Sequence, residues 1–360
     1  MISKVLDSYL TTIKVLAPKM LDGSSNLGKK LIARLVVLPS FMFGGLVVPR
    51  HSVMAAHTIN HWGSGQLSDY QKRMEMSILF LILILMAVGT FLAYQFTAIV
   101  EKNNRKYRFI NKLANGEFLL YYQPIVNPDQ KKVMACEALL RMKDNDKILS
   151  PFHFLETIEE LGLMEQVTLW VLKRVIKDYQ EIKTHNLNLD DDFYISLNVS
   201  FKEIGSSSFI EQVKEILSQI DLTQIKLCFE IVEKYHLEDE VLTNKVIQDL
   251  RSLGIKVAID DFGVEYANLD MLDKIDYDII KLDKHFIDEI QTSFIRQESV
   301  IFIGKVIEYY QKRMVMEGLE YPKQLEVLQE LYPGVVYIQG YLYSPPISLE
   351  EMKIFTLQLT

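Results

Sequence analysis

Cysteine is nearly missing from this 360-residue chain: two thiols, Cys136 and Cys228, each sit inside an apolar run. Such a pair excludes the disulfide framework of a small secreted domain and reads as cytosolic. Apolar residues make up 49% and charged residues 24%, so a disordered chain is excluded as well. Charge is missing altogether from residues 78–100, "ILFLILILMAVGTFLAYQFTAIV". At about 1.5 Å per residue, that run reaches roughly 34 Å, enough to cross a hydrocarbon core of about 30 Å. A buried core helix seldom runs that long without one charge.

Positive charge is present directly after it. Lys102, Arg105, Lys106, Arg108 and Lys112 form a collar that marks the cytoplasmic side and suits contact with anionic lipid headgroups. Residues 1–112 hold 14 Lys/Arg against 5 Asp/Glu, and the rest of the chain holds 25 against 42. An acidic body argues against nucleic acid as a partner. The reading is therefore an N-terminal region over 1–77, a transmembrane helix over 78–100, a basic linker over 101–112 and a soluble domain over 113–360. Residues 31–49 are apolar but broken by Arg34, Pro39, Gly44 and Gly45. They fit either a further span or a short piece outside the membrane. His57 and His61 are four apart but have no third ligand nearby, so they read as ordinary polar side chains.

From residue 113 onward, short β-rich runs alternate with amphipathic stretches such as 166–182 and 239–253. The runs are "LLYYQPIV", "VMACEALL", "YISLNVS", "IKLCFEIV", "KVAID", "YDIIKL", "RMVME" and "VVYIQG". Eight strands alternating with helices predict an α/β fold, a (β/α)8 TIM-type barrel. A doubly wound open sheet is the alternative, but the glycine-rich phosphate turn it normally carries is missing after the first strand.

Polar groups stand at the ends of successive runs: Glu137, Asn198, Glu230, Asp260 with Asp261, Lys281, Glu317 and Gln339. In a barrel these ends converge on one face. Neither Cys nor His is among them, so oxygen donors favour Mg²⁺ or Mn²⁺ over zinc. Clustered carboxylates repel unless cations neutralise them. Two ions would clamp the attacking and leaving oxygens of a phosphoryl displacement. Lys281 adds fixed positive charge, and Arg141 is a bidentate group suited to phosphate. An enolase-type barrel, where a lysine removes a proton next to a carboxylate, remains open on these residues alone.

The ordered set "YYQPIV", "CEALLR", "LNVS", "FEIVE", "AIDDFG", "IIKLD", "MEGLE" and "QGYLYSPP" resembles the EAL family of bacterial cyclic di-GMP phosphodiesterases over about residues 113–350. The resemblance implies a modified (β/α)8 barrel that opens cyclic di-GMP to linear pGpG with two Mg²⁺ or Mn²⁺ ions. It implies Glu137, Asn198, Glu230 and Asp260 as ligands of one ion, and Asp260 with Asp261 as ligands of the second. Lys281 and Glu317 match residues that hold or activate the catalytic water. Gln123, Arg141 and Gln339 match substrate-contact positions, and Glu233 matches the glutamate that anchors the following loop. A homodimer through this domain is implied, on a bacterial inner membrane with the domain in the cytoplasm. A "GGDEF"-like cyclase signature is missing, so the chain is expected to degrade the messenger. Where the family loop reads DDFGTGYSS, this chain has "DDFGVEYAN", with Val264, Glu265, Ala267 and Asn268 as departures. That loop organises the second metal in the family, so weaker second-metal binding is expected. Some family members have lost catalysis and act as binders or adaptors.

Overall fold

All eight apolar runs form strands, and the strands close on themselves. The computed structural model describes residues 64–186, 188–221, 224–232, 240–263, 269–332 and 334–355. The segment 31–49, His57, His61, Glu233 and the loop positions Val264, Glu265, Ala267 and Asn268 lie outside the described residues. The chain divides into two compact units, Met1–Arg108 and Phe109–Thr360.

Helix α1 (Ser64–Ala114) contains both the charge-free run and the basic collar, and the first unit is described only through its part up to Arg108. By length and composition it can cross a membrane. Its apolar side chains, Leu79 to Ile99, are exposed. The helix stops at Gly116, whose φ of +75° suits a left-handed cap. There Glu117 N–H donates to the Lys112 carbonyl at 3.1 Å and Asn115 N–H to that of Asn111 at 2.9 Å. Phe109 and Leu113, which belong to the second unit, pack on that unit's own core.

The second unit contains β1 (Phe118–Asn127), β2 (Lys132–Asp144), β3 (Lys147–Leu149), β4 (Leu189–Val199), β5 (Leu227–Val232) and β6 (Ile255–Phe262). It continues with β7 (Ile279–Leu282), β8 (Arg313–Glu317), β9 (Val336–Gln339) and β10 (Ile347–Ser348). The main outer helices are α2 (Met164–His185), α3 (Ser207–Leu217), α4 (Glu240–Ser252), α5 (Leu269–Lys274), α6 (Phe294–Tyr309) and α7 (Pro322–Leu331). Strands β2 and β4 to β9 pair in parallel, one after the next. β1 closes the ring antiparallel to both β2 and β9. It joins β2 through a tight turn in which Asn127 Oδ1 accepts from the N–H groups of Asp129 and Gln130. This inverted first strand sets the barrel apart from an all-parallel (β/α)8 ring.

Strand alternation sorts the side chains into two cores. Leu227, Phe229 and Ile231 of β5, with their counterparts on other strands, face the helices. Ile125, Ala135, Tyr194, Cys228, Ala258, Ile279, Val315 and Tyr337 form a separate apolar plug inside the barrel. Two residues further towards the mouth on the same strands stand Gln123, Glu137, Ser196, Glu230, Asp260, Lys281, Glu317 and Gln339. Two residues the other way stand Asp192, Lys226, Lys256 and Arg313. The interior is thus layered: charge, apolar plug, charge.

Candidate active site

Each strand brings one polar side chain to the mouth because period-two alternation repeats the inward face of the plug one step further on. Glu137 was expected to end its strand. It lies within β2, which continues to Asp144 because its second half pairs antiparallel with β1 and β3. Glu137, Leu139 and Arg141 therefore share one face of an extended hairpin, with Gln123 of β1 directly opposite Glu137.

Adjacent aspartates on a regular strand point to opposite faces, so Asp260 and Asp261 need a local device. The β6–β7 register shifts between Ile259 and Phe262, where β6 carries one extra residue. Asp261 takes φ of +53°, uncommon for a residue with a Cβ. This bulge re-aims Asp261 towards the mouth. Asp260, Asp261 and Glu317 each place a carboxylate oxygen within 4.8 Å of the others.

Lys281 is at the centre and only 2% exposed. Its Nζ lies 2.7 Å from Glu317, 2.8 Å from Asp260, 2.9 Å from Glu230 and 3.4 Å from Glu137. Asn198 Nδ2 donates to Glu137 at 2.8 Å, and Gln339 Nε2 donates to Glu137 at 2.6 Å. Gln339 Nε2 is also 3.3 Å from Gln123 Oε1, which ties β9 to β1. Arg141 turns its Nη1 to the Leu140 carbonyl and lies 5.6 Å from the centre of the Tyr121 ring, so it is not part of this cluster.

The electrostatics follow from burial. Burial alone would lower the Lys281 ammonium, yet Asp260, Glu137, Glu230 and Glu317 together raise it well above its usual range. Burial raises Glu230 strongly, with Glu137 adding to the effect. Burial and Asp260 hold Glu317 up at about 8 against the pull of Lys281, and burial and Asp260 hold Asp261 at about 6. Glu137 goes the other way. Burial would raise it, but Lys281, Gln339 and Asn198 outweigh that and lower it. One ammonium cannot neutralise this many carboxylates. Asp260 Oδ1 is buried without a hydrogen-bond partner, although it stands at ion-pair distance from Lys281. Oxygen-only, anionic and in excess over the one cation, the donor set fits hard divalent cations.

A cleft of about 340 Å³ opens over the cluster. Besides Gln123, Glu137, Glu317 and Gln339, it is lined by Asp283, Lys284, Glu320 and Tyr341. The sequence reading did not single out these four, although Asp283 and Glu320 end the quoted runs "IIKLD" and "MEGLE". Gly318 shapes the cleft floor. Its φ is +73°, and a Cβ there would fall 2.2 Å from the Lys284 Cβ.

Comparison with known proteins agrees with this geometry. The EAL domain family matches residues 108–346. Cyclic di-GMP phosphodiesterase NbdA of Pseudomonas aeruginosa is 30% identical over 244 residues, covering 68% of this chain and 30% of NbdA. Probable cyclic di-GMP phosphodiesterase PdeB of Escherichia coli is 28% identical over 247 residues, covering 68% of this chain and 46% of PdeB. The chain thus spans less than half the length of these two relatives. Among solved structures, the EAL enzyme Bd1971, with cAMP and cyclic di-GMP bound, superposes with a TM-score of 0.62 at 26% identity, covering 75% of each chain. A closed barrel with an inverted first strand, this mouth and a family match across residues 108–346 lead to one assignment: the chain belongs to the EAL domain family.

Proposed function

We propose that this chain is a cyclic di-GMP-specific phosphodiesterase that hydrolyses its substrate to linear pGpG with two Mg²⁺ or Mn²⁺ ions and so lowers a bacterial second messenger. The observation that carries the reading is the excess of buried carboxylate oxygen over cation beneath an open cleft. The naming of relatives such as NbdA as cyclic di-GMP phosphodiesterases supports it. Glu137, Asn198, Glu230 and Asp260 would hold one ion, and Asp260 with Asp261 the second. When bound, such ions make water nucleophilic near neutral pH and offset charge on the phosphodiester. Lys281 and Glu317 would hold the attacking water, and the Glu317 carboxylate would accept its proton once bound cations lower it from about 8. Arg141, Gln123 and Gln339 position the substrate, and Glu233 anchors the loop after Asp261.

The test is incubation of the full chain with cyclic di-GMP and Mg²⁺, followed by chromatography of the products. Linear pGpG is expected. An adaptor would give no cleavage and metal-independent effects on a partner, and an enolase-type enzyme would give proton exchange without cleavage.

The same proposal places α1 across the bacterial inner membrane, with its collar at anionic lipid and the domain over 113–360 in the cytoplasm. A reporter active only outside the membrane, fused after Thr360, should stay silent. We further propose a homodimer through the barrel domain. The outer face of α6 supports this reading, because Phe294, Ile295, Phe302 and Tyr309 share one exposed stripe at helical spacing. Phe302→Glu should shift the mass in solution towards the monomer.

A further inference from the structure

The Lys281 ammonium has three N–H donors and four carboxylates within 3.4 Å. It stands where a cation sharing those oxygens would stand. Its strand does not give way: Ile280 and Leu282, on either side, are fully buried in the outer core. Only its four-carbon stem can move. Of its partners, Glu230 is 1% exposed at the side chain, Glu137 9% and Asp260 10%. Glu317 is 18% exposed and is also the nearest partner, at 2.7 Å. Among the described residues, the retreat is therefore towards Glu317 and the cleft it lines.

We propose that Lys281 is a built-in counter-cation of the mouth, which a divalent ion must displace from Glu137, Glu230 and Asp260 before it can bind. The inference rests on the metal-site reading above and adds competition to it. Without an ion, the ammonium holds the carboxylates together and lets the barrel close over them. With an ion, it leaves three of its partners and keeps Glu317. The residue expected beside the attacking water is then the one that the incoming ion pushes into place. Two like charges disfavour one another at this range, so the lysine sets an upper limit on metal affinity.

The test uses the full chain in detergent, with Lys281→Met to remove the charge at similar length. Free Mn²⁺ is followed by electron paramagnetic resonance, and melting is followed in EDTA and in Mn²⁺. The variant should bind Mn²⁺ roughly tenfold or more tightly than the parent. It should melt lower in EDTA, and Mn²⁺ should raise its Tm by more than it raises that of the parent. Equal or weaker binding, with an equal Tm shift, would overturn the competition while leaving the metal site intact. If Lys281→Met does not fold in EDTA, Lys281→Gln is measured beside it, and folding of either variant only with Mn²⁺ supports the exchange of one cation for another. Failure of both to fold even in excess Mn²⁺ would overturn it, since the ion could not then take over from the ammonium. Binding of Mn²⁺ by none of the proteins would remove the metal reading and this inference with it.

Discussion

At the closed end of the barrel Asp192 meets three cations, whereas at the mouth Lys281 meets four carboxylates. Asp192 lies 2.6 Å from Lys226, 2.9 Å from Lys256 and 2.6 Å from Arg313. All four side chains there are between a quarter and about a third exposed, so water shares in the balance. Nearby, Arg251 pairs with Asp276 and Asp278, and Lys312 with Asp276, so the protein supplies both signs itself. The mouth is dry at Lys281 and Glu230, and the carboxylates outnumber the one cation. Cations gathered round a carboxylate that water can reach serve closure of the barrel, whereas buried carboxylate left in excess at a cleft is a binding capacity.

The largest effect expected from breaking this contrast is at the mouth. Glu137→Ala removes the group that joins Lys281, Asn198 and Gln339, and should lower turnover by roughly 100-fold or more. Product chromatography checks this, and robust cleavage by the variant would rule out the ligand set. At the other end, Asp192→Ala leaves three cations facing one another. It should cost about 1–3 kcal/mol of stability, less than a fully buried pair because water screens the site. Urea unfolding measures the loss, and turnover per folded molecule should stay near the parent's.

pH separates the ends more finely. Glu317 is at about 8 in the folded protein against an ordinary 4.5. A carboxyl raised on folding favours the folded state when protonated, so metal-free stability should decline as pH rises from about 4.5 to about 8. Asp192 is lowered instead. Burial opposes this, but hydrogen bonds from Lys226, Lys256 and Arg313 prevail. Its contribution is complete above its ordinary value of 3.8 and is lost as pH falls below that. Melting curves across pH in EDTA should show both flanks, and Mg²⁺ should flatten only the alkaline one. The smallest effect concerns the loop after Asp261. Glu265→Gly, better with Val264→Thr, should lower the Mg²⁺ needed for half-maximal activity by about two- to fivefold. An unchanged titration would mean that the departure from the family loop is tolerated.

Most of the fold was legible because buried strands carry a strong local signal. "KLCFEIV" and "RMVME" announce strands by their apolar run and period, whichever neighbours they later acquire. The candidate site was legible for the same reason: the residue two places beyond a plug position shares its face. The same rule, applied two places before the plug, marks Asp192, Lys226, Lys256 and Arg313, but charge at the N-terminal ends of barrel strands carries no signal of chemistry in the sequence. The extent of β2 was misread because charge at Glu137 suggests an end, while its continuation depends on a partner strand earlier in the chain.

The sequence by itself determined the eight strands, the polar residue each brings to the mouth, the oxygen-only donor set and a helix able to cross a membrane. Each depends on residue type and a period of a few positions. Only the tertiary structure decided that β1 enters inverted, that a bulge turns Asp261 beside Asp260, and that one end of the barrel gathers cations round Asp192 within reach of water while the other buries carboxylates round Lys281. It also decided that Lys281 stands among carboxylates, one of them 144 positions away in the chain. These features come from closing a ring, where the partner of each charge is set by which strands meet, and no local pattern encodes that meeting.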